Sequence, residues 1–168
     1  LLFFIFDEII VLKRLFVICF LYCQLPVSFC QTKYFQQQVN YTIDVTLNDV
    51  ENTLDGFEII NYTNNSSDTL NYIWFHLWPN AYKNDRTAFS EQLLQLGRTD
   101  FYFSDEDKRG YINLLDFKVD GTTANLEDHP QYIDVAKLIL PSPLPPGQTI
   151  KITTPFHEKI PFNFSREG

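Results

Sequence analysis

The chain holds three histidines, His76, His129 and His157, and the last opens the run His157-Glu158-Lys159-Ile160-Pro161. That run begins like H-E-x-x-H, in which two imidazoles one helical turn apart bind zinc and the glutamate beside them acts as general base. Here the second ligand position is Pro161, which has no ligand atom and would interrupt the helix that brings the pair together. His157 is therefore read as a loop or strand-end residue, and no zinc binding is expected in this chain. His76 lies between Phe75 and Leu77 in an apolar stretch, where a neutral imidazole hydrogen-bonded to a backbone group is the ordinary solution.

Covalent catalysis has no better footing. No G-x-S-x-G elbow occurs, and the serines fall mostly in polar stretches. The three cysteines, Cys19, Cys23 and Cys30, all lie in the first thirty residues. Asp105 with Asp107, and Glu127 with Asp128, sit in polar stretches that read as solvated faces, not as calcium or acid–base pairs. The sequence thus yields no catalytic, no cofactor-binding and no metal-ligating residue. Asn40-Tyr41-Thr42, Asn61-Tyr62-Thr63 and Asn163-Phe164-Ser165 match the glycosylation sequon. The bacterial character of the leading segment makes them incidental.

The elements around these residues read as strands. Val39, Tyr41, Ile43, Val45 and Leu47 alternate with polar neighbours, the period-two pattern of a strand with one face buried. After a turn near Asn48-Asp49, Leu54 to Tyr62 reads as a second strand that pairs with the first as a hairpin or meander. Leu70 to Trp78 is apolar on both faces and predicts a third, central or covered strand ended by Pro79. Thr87 to Gly97 has helical spacing, with Thr87 or Ser90 as cap and Gly97 as stop.

Strand character resumes from Tyr111 to Val119 and meets Asp120-Gly121, a hairpin dipeptide, with Tyr132 to Leu140 as the returning strand. Pro141, Pro143, Pro145, Pro146 and Gly147 read as a surface loop, and Thr149 to Thr154 as a last strand. The expected fold is all-β, a sandwich or saddle-shaped curved antiparallel sheet with one short helix, preceded by a signal peptide.

That signal is read from Leu12-Lys13-Arg14 followed by LFVICFLYCQLPVSFC, a cationic region, an apolar stretch and small residues before Gln31. Gln24 and Pro26 leave the apolar stretch below the ~20 residues of a spanning helix, so cleavage is expected and no stable membrane span remains. Residues 1–10 are read as upstream translation, with the start near Val11 or Leu12. The domain reading is 1–30 for upstream residues and signal, and 31–168 for one β domain, incomplete at its C-terminal end. Localisation is expected to be exported, periplasmic or extracellular. A lipid-modified Cys30 is the lesser alternative, because Phe29 stands where that pattern wants a small residue. A mature chain from Gln31 would contain no cysteine, and so no disulfide or thiolate metal site.

Composition supports a packed domain with an aromatic core: 45% of residues are hydrophobic and 16% aromatic. The formal net charge is −8, with the acidic residues scattered, so nucleic acid is not an expected partner.

Three stretches carry a resemblance: FHLWPNAYKN from Phe75 to Asn84, RGYI from Arg109 to Ile112, and ITTPFHEKIP from Ile152 to Pro161. Within Tyr34 to Gly168 the chain resembles the amino-terminal region of exported aminopeptidase N-like zinc metallopeptidases of Bacteroidetes-type bacteria. The resemblance implies a non-catalytic β domain that packs on the catalytic domain of the same polypeptide and helps wall the peptide cleft. Zinc and peptide substrate would then belong to the full-length protein, and this segment alone would be inactive. An alternative reading is a self-contained extracytoplasmic β-sandwich binding a carbohydrate, peptide or protein through Trp74, Tyr82 or Tyr102. A third is a degraded relative acting as a scaffold.

Overall fold

The computed structural model describes residues 34–164. By contacts the chain divides into units Leu1–Tyr34 and Phe35–Gly168, and the architecture below is that of the second. The expected signal peptide and upstream residues lie outside the described residues.

Nine strands and one α-helix are described, in the order β1 (Gln38–Asn48), β2 (Thr53–Thr63), β3 (Leu70–His76), α1 (Ala88–Gln95), β4 (Tyr111–Asn113), β5 (Lys118–Val119), β6 (Thr122–Thr123), β7 (Asn125–Asp128), β8 (Val135–Leu144) and β9 (Thr149–Lys159). They form two antiparallel sheets. The larger runs β1-β2-β9-β5-β6, with β4 also pairing β9, and the smaller runs β3-β8-β7.

The β1–β2 hairpin pairs without interruption from Gln38↔Thr63 to Asn48↔Thr53. Its turn is built by Asn48, whose Oδ1 accepts from the amides of Val50 and Glu51 at 3.1 Å each. Asn52 takes the left-handed conformation, at φ 53°, which asparagine tolerates. β9 then pairs the other edge of β2 from Thr53↔Lys159 to Thr63↔Thr149, leaving β1 as an eleven-residue edge strand.

The two sheets enclose a core in which Ile60 and Ile152 from the larger meet Ile73, Leu138 and Leu144 from the smaller, with Phe117 between. A second cluster is aromatic. Phe101, fully buried, stands 5.0 Å from Phe164 and 5.2 Å from Phe89, ring centre to ring centre, and Tyr82 lies 4.5 Å from Phe89. Helix α1 supplies Leu93 to this cluster and is capped by Thr87, whose side chain accepts from the Ser90 amide at 3.2 Å. Gly97 follows at φ 75°, the left-handed stop expected of it.

The architecture is the expected all-β one, with five local corrections. β3 is an edge strand of its sheet, not a central or covered one; Ile73 points inward while Tyr72 and Trp74 stand exposed. The run 111–119 is two short strands, because Leu114 adopts φ 56° and breaks the ladder. The partner across Asp120-Gly121 is β6, and Tyr132 lies before β8, outside it.

β8 runs through Pro141 and Pro143 to Leu144, where a loop was expected. The prolines are tolerated because β8 pairs β7 only over Ala136 to Ile139, and its ladder with β3 is irregular between Ile139 and Leu144. β9 likewise continues five residues past Thr154. Pro155 stands between the stretch paired with β5 and the stretch paired with β4, where that edge has no ladder to lose.

Candidate functional site

Alternation along the three long strands decides what their common face presents. Val39, Tyr41, Ile43, Val45 and Leu47 of β1 lie beside Tyr62, Ile60, Glu58, Gly56 and Leu54 of β2. The latter lie beside Ile150, Ile152, Thr154, Phe156 and Glu158 of β9. The end near Val39 is covered by the smaller sheet, and Ile60 and Ile152 are 2% and 0% exposed there.

Farther along the cover stops. Tyr41, Ile43, Val45 and Leu47 are between 47% and 59% exposed, so the expectation of a buried face on β1 is corrected for most of its length. β1 spans about 36 Å at about 3.3 Å per residue, and Val39 at one end is its residue packed against the buried core.

Where the cover ends a cleft of about 190 Å³ opens. Tyr41, Glu58, Thr154 and Glu158 form its floor, with Phe75, Trp78, Ile112 and Phe117 among its walls. Burial pushes the carboxyl groups of Glu58 and Glu158 above the usual carboxylate range. Burial, and then the nearby Glu58 carboxylate, push the Tyr41 hydroxyl up as well. Neither glutamate takes a hydrogen bond or ion pair among the described residues. The sequence carried a signal for Glu58 that the reading above missed: it is the one acidic residue in the inward row Leu54, Gly56, Glu58, Ile60, Tyr62.

His76 stands at the rim. Its Nε2 lies 2.9 Å from Asp134 Oδ2, so its partner is a carboxylate and not the backbone group expected from sequence. The His76 ring also sits 3.8 Å from that of Trp78. The Asp134 carbonyl accepts from the Leu77 amide at 2.7 Å, so one residue pins the end of β3 twice.

The motif-like run at 157–161 does not assemble a metal site. His157 lies on β9 and faces the polar side of the sheet, with Nδ1 2.7 Å from Asp55 Oδ1, while Glu158 belongs to the opposite face. The residues therefore do not fit the zinc ion of an H-E-x-x-H enzyme. Among the described residues no group of three or more His, Cys, Asp or Glu side chains could hold a metal. Asp105 and Glu127 are instead matched to lysines, Lys108 at 3.4 Å and Lys137 at 3.7 Å.

Of the three aromatics weighed for ligand binding, the structure separates Tyr82 from the others. Tyr82 is 8% exposed and belongs to the aromatic core, whereas Trp74 and Tyr102 are open to solvent. Trp74 lies in a row with Tyr72 and His129, at 6.0 and 5.6 Å between ring centres. Lys137 covers the Tyr72 ring at 4.6 Å. A larger depression of about 480 Å³ beside Pro141, Pro143 and Pro145 has Asp120 on its wall, but that carboxylate already accepts from the Lys151 amide at 3.0 Å. No helix among the described residues is long and apolar enough to cross a membrane.

No protein-family model and no curated protein matches the chain. Among solved structures it is similar to a two-domain M1 zinc metallopeptidase variant bound to L-tryptophan, at 13% identity over 79% of this chain and 23% of that one, with a TM-score of 0.48. It is also similar to an M1 zinc metallopeptidase from Deinococcus radiodurans, at 14% identity over 73% of this chain and 20% of that one, with a TM-score of 0.45. The chain thus spans about a fifth of the length of those structures. At these values neither likeness assigns an activity to this chain.

Proposed function

We propose that this chain is the non-catalytic amino-terminal β domain of an exported, aminopeptidase N-like zinc metallopeptidase, packing on the catalytic domain and helping wall the peptide cleft. The observation that carries the reading is the open apolar face of β1, where Tyr41, Ile43, Val45 and Leu47 stand in a row at 47% to 59% exposure. A contiguous apolar strip of that kind marks a surface meant to be covered. The sequence resemblance from Tyr34 to Gly168 supports the catalytic domain as that cover. Zinc, its ligands and the general base would all lie on that domain, so the chain alone is expected to be inactive.

Sequencing the gene through and beyond the codon for Gly168 tests this directly. The expected result is an open frame that reaches H-E-x-x-H; a stop codon immediately after Gly168 would overturn it. The second reading, a binding module, is favoured by one observation, the exposed row of Tyr72, Trp74 and His129.

A further inference from the structure

The open face is largely apolar but carries two acidic side chains, and those two lack the cationic or imidazole partner that several acids nearby have. Asp55 is bonded to His157, Asp116 lies 3.6 Å from Lys118, and Asp134 is bonded to His76. Among the described residues Glu58 and Glu158 have no such partner, although both are partly buried on the floor of one cleft. They are four strand positions apart through the pair Glu58↔Thr154, about 13 Å along β9. Covering them with an apolar surface alone would strand two carboxylates away from water, which is strongly unfavourable.

We propose that the face formed by β1, β2 and β9 docks a protein surface that is apolar at its centre and carries lysine or arginine side chains, which enter the cleft to meet Glu58 and Glu158. This rests on the reading above that another protein surface covers the face, and it specifies that surface's chemistry. The cleft suits such side chains: Tyr41 and Trp78 offer ring faces against which a guanidinium or an alkyl-ammonium stem can lie. A second copy of this chain fits less well. It carries 21 acidic residues against 13 basic ones and a formal net charge of −8, so self-docking brings like charge to the cleft.

The test uses the full chain carrying Trp74→Phe, so that Trp78 is the one remaining tryptophan of the two and reports from the cleft wall. The probes are ten-residue peptides of alternating leucine and lysine, leucine and serine, or leucine and glutamate. The expected result is that the lysine peptide shifts Trp78 emission and binds at least ~10-fold more tightly than the serine peptide, a difference of about 1.4 kcal/mol. Glu58→Gln with Glu158→Gln should abolish that preference without weakening serine-peptide binding. Asp49→Asn with Asp107→Asn, two exposed acids elsewhere, should leave it intact.

Equal binding of the lysine and serine peptides, survival of the preference in the double glutamine variant, or equal loss in the Asp49/Asp107 control would each overturn the proposal. So would dimerisation of the chain through this face, seen by light scattering. If the gene reaches a zinc motif and the lysine preference is absent, the domain assignment stands and the cation docking falls. If the frame stops and the preference is present, the reverse holds.

Discussion

The ring of Phe156 lies over Gly56, its partner on the neighbouring strand. A β-carbon at position 56 would come within 2.6 Å of Phe156 Cε1 and 2.9 Å of the Asp44 carbonyl oxygen. Glycine in a strand interior usually weakens it, but here the vacancy lets an aromatic ring close over the backbone. Gly56→Ala is expected to lower unfolding stability by about 2 kcal/mol, the range for forcing a carbon into a filled site, as measured by urea denaturation. Adding Phe156→Leu should recover part of the loss; an unchanged midpoint for Gly56→Ala would show that the ring moves away freely.

Asn64 is fully buried and ties two segments together. Its Nδ2 donates to the carbonyls of Asp68 at 2.7 Å and Leu144 at 2.9 Å, and its Oδ1 accepts from the Ser66 amide at 3.0 Å and hydroxyl at 2.6 Å. Asn64→Ala leaves these groups buried without a partner, and should destabilise the fold by about 3 kcal/mol. Thermal and urea melts of the variant check this, and a loss below about 1 kcal/mol would mean that water takes over the bonds.

Acid should stabilise the domain before it harms it. Burial raises the carboxyl groups of Glu58 and Glu158 above their ordinary value of 4.5, so the folded state binds more protons than the unfolded one, and stability falls as pH rises through the raised values. The benefit is complete below 4.5. Hence the melting temperature should rise as the pH falls toward 4.5, and the rise should flatten in the Glu58→Gln, Glu158→Gln variant. At lower pH Asp100 acts with the opposite sign. The hydrogen bond from Arg98 holds its carboxyl below the ordinary value of 3.8, so its contribution is lost on acidification.

The β1 face makes a separate prediction for solution behaviour. Ile43→Thr, Val45→Thr and Leu47→Thr together keep β-branched residues at two of the three positions while removing apolar area that is already about half exposed. Binding of the leucine–lysine peptide should weaken by ~10-fold or more relative to the parent chain, with stability changed by no more than about 0.5 kcal/mol per site. A collapse in stability would instead show that these side chains form part of the domain's own core.

Much of this architecture was legible before the structure. The Val39 to Leu47 alternation, the Thr87 cap and the Asp120-Gly121 turn each rest on local chemistry, and each appears where the residues say it should. The misses share a different origin. Whether β1's apolar row is covered depends on what packs over it from segments far away in sequence, and whether β3 is central depends on what pairs beside it. Pro141 and Pro143 looked like loop residues because a proline's tolerance is set by the neighbouring strand's register, which no local window contains. His76 was assigned a backbone partner because Asp134 lies 58 residues away. Glu58 was readable in principle, as a lone charge in an apolar row, and Glu158 was obscured by its place inside a failed zinc motif.

The pairing of β2 with β9 sets an order of events during synthesis. Thr63 and Thr149, whose hydroxyls meet at 2.7 Å, are separated by 86 positions, and the ladder they begin holds the middle of the larger sheet. A nascent chain therefore presents the β1–β2 hairpin with one edge awaiting a strand that the ribosome has not yet made. Closing that span is a non-local step whose entropic cost must be met before the ladder forms, and until residues 149–159 emerge the hairpin is a surface that a chaperone can hold.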